Sequence, residues 1–100
     1  MADDLSAAVE VNFSANKEGG AKYIEVETAA TADHTDYFSL TLADYGATKL
    51  KAIRMYRHTT DNSVVVDDDA PTTVVTAGVL TVTIGGSTGN KKRFCQLWVS

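Results

Sequence analysis

Several chemistries are closed to this chain by what it lacks. It holds a single cysteine, Cys95, so no internal disulfide can form and stability has to come from packing or from other subunits. No apolar run approaches the roughly 18 residues that a membrane-spanning helix needs. A basic excess is missing too: 9 Lys and Arg face 13 Asp and Glu, a net charge of -4, which disfavours a phosphate-binding surface and with it DNA or RNA. The start, Met1-Ala2-Asp3-Asp4, is acidic where a secretory leader is basic and then apolar, which predicts a chain made and kept in the cytosol. Nucleophile elbow, glycine-rich phosphate loop and HExxH helix are all absent from the sequence, so the expectation is a protein without enzymatic activity and without a cofactor.

What is present is period-two alternation. In Val79-Leu80-Thr81-Val82-Thr83-Ile84, large apolar residues alternate with threonine, the pattern of a half-buried strand. Thr76-Ala77-Gly78 and Gly85-Gly86-Ser87-Thr88-Gly89-Asn90 flank it as turn clusters, and strand-like runs at residues 72–76 and 92–99 lie beyond, so a β-meander is expected to close the chain. Tyr37-Phe38-Ser39-Leu40-Thr41-Leu42 alternates as cleanly, with Phe38, Leu40 and Leu42 inward. Ile24 and Val26 mark another core face, and Val9, Val11 and Phe13 a short first strand that gives way to a loop over residues 14–20.

Residues 50–58 fit neither period. A bulged strand reaching His58 and Thr59 is preferred to a short helix, because a bulge shifts the face of alternation midway. Val64-Val65-Val66 then returns as a hairpin partner, and Pro71 ends that run. Gly46 is placed to supply a positive φ in a tight turn. The sum is an all-β domain of seven or eight short strands, an antiparallel sandwich or barrel over residues 9–100, with residues 1–8 as a flexible tail or arm.

Candidate sites are few. Asp67, Asp68 and Asp69, with Asp61 and Asn62 nearby, are the one run that could hold a hard cation, but consecutive carboxylates diverge and the spacing is not an EF-hand, so a solvated loop is the expectation and no metal is assigned. His34 lies between Asp33 and Asp36 without metal-type spacing. Lys91, Lys92 and Arg93 open the last strand, either as a charged shoulder that protects an edge or as an inter-subunit salt bridge to Asp67, Asp68, Asp69, Glu25 or Glu27. In that strand Phe94, Gln96 and Trp98 share one face and Arg93, Cys95, Leu97 and Val99 the other. Both faces are apolar, which implies burial on both sides, by a second layer or by another subunit. The expected interface is therefore Lys91, Lys92, Arg93, Phe94 and Trp98 with Asp67, Asp68 and Asp69.

The run Gly78-Val79-Leu80-Thr81-Val82-Thr83-Ile84-Gly85-Gly86, the threonine-rich outward faces and the closing strand at residues 91–99 resemble small tailed-bacteriophage virion proteins of the capsid decoration, or cement, class. The resemblance covers mainly the last fifty residues. It implies a compact β domain on the outside of a capsid shell, reinforcing it non-covalently, with the major capsid protein and copies of itself as partners. A trimer is the common form in that class, and residues 2–8 are the candidate gripping arm. The implied location is the virion, after synthesis in the host cytoplasm. The alternative reading is a β-sandwich binding module, for example for carbohydrate at a fibre or cell surface, which would present an exposed Trp or Tyr patch.

Overall fold

The computed structural model describes residues 3–18, 21–60, 62–67 and 70–100. Eight strands form two antiparallel sheets: β1 (Glu10–Glu18), β2 (Ala21–Glu27), β3 (Tyr37–Thr41), β4 (Leu50–Thr60), β5 (Val64–Asp67), β6 (Thr72–Thr76), β7 (Val79–Thr83) and β8 (Arg93–Val99). The larger sheet runs β1-β2-β8-β4-β5 and the smaller β3-β7-β6, the arrangement of a small β-sandwich. One turn of 3-10 helix, Leu42–Tyr45, connects β3 to β4 and ends on Gly46 at φ 64, the left-handed conformation that the glycine permits.

Alternation decides the core. Phe38 and Leu40 from one sheet, with Leu42 of the 3-10 turn, share the core with Ile24, Val26, Leu97 and Val99 from the other, and Leu80, Val82 and Ile84 of the alternating run are at most 2% exposed. The strand through residues 50–60 carries the expected bulges, with register shifts between Leu50 and Ala52 and between His58 and Thr60.

Three expectations need correction. The first strand does not stop at Phe13; β1 continues through Ser14 to Glu18, with a register shift between those two residues. The C-terminal meander is only a β6–β7 hairpin, because β8 crosses to the other sheet and lies between β2 and β4. The place of β8 is fixed by register with β2 on one side and β4 on the other, and only the face bearing Cys95, Leu97 and Val99 is fully buried, whereas Phe94 and Trp98 stand on the outer face. Of residues 1–8, expected as a tail or arm, 1 and 2 lie outside the described residues and 3–6 lie against their own domain: Leu5 N donates to Tyr37 O (2.7 Å), Tyr37 N to Asp3 O (3.0 Å) and Ser39 N to Ser6 Oγ (2.9 Å).

Candidate interaction surface

The outer face of the five-stranded sheet is a three-by-three grid set by register. Tyr23, Trp98 and Ala52 form one row across β2, β8 and β4; Glu25, Gln96 and Arg54 form the next; Glu27, Phe94 and Tyr56 the third. A polar row thus runs between two aromatic pairs. The Tyr23 and Trp98 ring centroids are 5.3 Å apart, and Tyr56 and Phe94 stack at 6.3 Å, with the Arg54 guanidinium 5.6 Å from the Tyr56 centroid. Gln96 Nε2 donates to the Tyr23 hydroxyl, which donates to Glu25 Oε2, both at 2.8 Å. Burial, and then the Glu25 bond, hold the Tyr23 hydroxyl above the usual phenol range. Phe94 and Trp98, expected at an interface, are therefore on one solvent-facing surface, half-buried by their neighbours.

The basic cluster divides. Lys91 Nζ donates to Thr59 O (3.2 Å). Lys92 pairs with Glu27 at 2.6 Å within the chain and reaches Asn62 Oδ1 at 3.0 Å. These groups line an open, polar groove of about 270 Å³ that also includes Glu10 and Thr28. Arg93 is the correction: it is 0% exposed, because its place in the β8 alternation puts it on the core side with Cys95, Leu97 and Val99. Its guanidinium donates to Ala32 O (3.0 Å), Lys91 O (2.7 Å) and Thr88 O (2.7 Å), and its backbone N–H to Thr28 Oγ1 (2.8 Å). Arg93 is thus a clamp on the two connections, β2 to β3 and β7 to β8, that cross side by side at this end of the sandwich.

Asp33 and Asp36 accept backbone hydrogen bonds at the same end of the sandwich. Asp36 is 1% exposed, and its carboxylate accepts from Asp3 N (3.0 Å) and Asp33 N (2.9 Å); Asp33 Oδ1 accepts from Asn90 N (2.7 Å). His34 contributes its backbone N–H to Thr88 O at 3.2 Å. Cys95 is buried, and burial pushes its thiol up to about 12, far from nucleophilic range at neutral pH. Asp61, Asp68, Asp69 and the Asp67 side chain lie outside the described residues, so the cation reading and their place at an interface go with them.

Two exposed valine runs escaped the expectations from sequence. Val64, Val65 and Val66 of β5 and Val74 and Val75 of β6 are exposed, Val74 to 60%. Every residue of β6 is exposed on both faces, so apolar composition alone did not place this strand in the core.

Comparison with known proteins finds no matching family model, no matching curated protein and no matching solved structure.

Proposed function

We propose that this chain is a non-catalytic virion structural protein that docks on the outside of a phage capsid shell and stabilises it, as decoration proteins do, in concert with copies of itself. The observation that supports this reading is the outer face of the five-stranded sheet, where Tyr23, Trp98, Phe94 and Tyr56 stand around a Glu25-Gln96-Arg54 row. Aromatic residues and arginine are the side chains enriched at protein interfaces, and a polar row between them would fix orientation on a partner. Many weak copies of such a contact on a lattice would add up to firm attachment. Cryo-electron microscopy of the assembled particle tests it: density for this domain on the shell, lost in Trp98→Ala particles, is expected, and a shell bare of it overturns the reading.

The same grid favours a second reading, a carbohydrate-binding face, because a polar row between aromatic pairs can meet both the hydroxyl and the apolar sides of a sugar. Saturable binding of the isolated chain on a glycan array, abolished by Trp98→Ala, with no attachment to shells, would select it.

A further inference from the structure

The four sheet edges are not treated alike. The free side of β3 is covered by residues 3–6, whose backbone and Ser6 hydroxyl hydrogen-bond to Tyr37 and Ser39. On the β1 side the strand bears Glu10 and is irregular between Ser14 and Glu18. β5 has 4 residues, is bulged against β4, and runs into Asp67-Asp68-Asp69. Charge, bulges, shortness and a covering segment are the devices by which natural proteins block edge-to-edge pairing.

β6 has none of them. Thr72-Thr73-Val74-Val75-Thr76 pairs with β7 in unbroken register, carries no charge and no proline, consists only of β-branched residues, and is exposed throughout. Among the described residues no strand lies on its outer side.

We propose that β6 pairs with β6 of a second copy of this chain, antiparallel about a two-fold axis at Val74, joining two three-stranded sheets into one of six strands. A neutral strand meets itself without like-charge repulsion, whereas the acidic run after β5 would repel its own copy. Centring on Val74 pairs all five residues: Val74 with its copy, Thr73 with Val75, and Thr72 with Thr76. The contact is isologous and closes, because the far edge of each sheet is already covered by residues 3–6. A two-fold axis also argues against the trimer that the resemblance implies. The interface is small, below about 1,200 Å², so the dimer is expected to be weak, with a dissociation constant on the order of micromolar. This deepens the self-association within the function proposed above, and because its test uses the isolated chain it can fail while shell binding stands, and the reverse.

The test is the oligomeric state of the whole chain by analytical ultracentrifugation, with four variants. Val74→Lys, which sets two ammonium groups against each other on the axis, should weaken the dimer at least tenfold. Val65→Lys on β5 should leave the dimer as it is, and so should Val74→Thr. Val74→Cys gives an independent readout that tolerates no general unfolding: paired Cα atoms about 4.5–5.5 Å apart are within disulfide reach, so a reducible cross-linked dimer should form, with buried Cys95 giving none in the parent chain. A chain that stays monomeric up to about 1 mM, or an oligomer that Val74→Lys leaves intact and Val74→Cys does not cross-link, overturns the proposal.

Discussion

Charge is buried at one end of this sandwich while valine is exposed along one of its edges. Arg93 and Asp36 are 0% and 1% exposed, whereas Val74 and Val75 are 60% and 44% exposed. Hydrogen-bond partners and sheet width, more than hydropathy, set burial at these two places. Arg93 is buried among carbonyls of two connections, and its desolvation is offset by guanidinium hydrogen bonds to Ala32 O, Lys91 O and Thr88 O. Val74 belongs to a strand whose place is set by its ladder with β7, beyond the part of the small sheet that the larger sheet covers. Hydropathy is thus overruled in opposite directions by hydrogen bonding and by sheet width.

Arg93 is the position where a single substitution should cost most. Arg93→Leu keeps apolar volume but leaves the Ala32, Thr88 and Lys91 carbonyls without this donor, and should cost roughly 3–4 kcal/mol. Chemical denaturation measures it; a loss below about 1 kcal/mol would mean that water replaces the guanidinium and that no clamp exists. Next in size is a contrast within one hairpin. Leu80 on β7 is 0% exposed, and Leu80→Ala should cost about 2–5 kcal/mol, while Val74→Thr on β6, at matched low concentration, should stay within about 0.5 kcal/mol. Equal losses at the two positions would show that β6 is packed in solution.

Much of the fold was legible from local pattern. Phe38, Leu40, Leu80, Val82, Ile24 and Val26 alternate, and each is buried where alternation puts it. The bulged β4 was readable from the slip in its pattern, and the β6–β7 turn from Ala77-Gly78. What stayed hidden depended on pairing at a distance. β8 reads as the end of a meander because β7 precedes it, yet residues 22–27 and 50–57 are its partners. The surface grid was half visible: Phe94 and Trp98 were assigned to one face, but Tyr23, Arg54 and Tyr56 join them only through that register. Arg93 stands beside two lysines in sequence, and nothing local separates it from them. Its inward parity, shared with Cys95, was the available signal.

A smaller effect sharpens the buried-charge side of the comparison. Asp36→Asn retains one acceptor where the carboxylate serves both Asp3 N and Asp33 N, so one of these partly buried bonds is lost, at about 1–2 kcal/mol. Faster amide exchange at Asp3, Leu5 and Tyr37 should accompany it, since the segment covering the β3 edge is tied there. If exchange is unchanged at those amides, the covering segment is held by its ladder to Tyr37 alone.

The smallest effect is a gain, and it belongs to the exposed side. The β6–β7 connection has two residues, Ala77 and Gly78, at φ 51 and φ 79, the two positive values of a type I′ turn. Alanine in the left-handed region is strained by roughly 1 kcal/mol, because its Cβ crowds the following carbonyl, and asparagine tolerates that region far better. Ala77→Asn should therefore stabilise the domain by about 0.5–1 kcal/mol, or raise Tm by roughly 2–8 °C for a domain of this size. Among the described residues β7 is the one strand that pairs with β6, so the gain should also appear as slower amide exchange along residues 72–76. A rise in Tm without slower exchange there would locate the strain outside the hairpin, and no rise at all would mean that the turn relaxes to another type in solution.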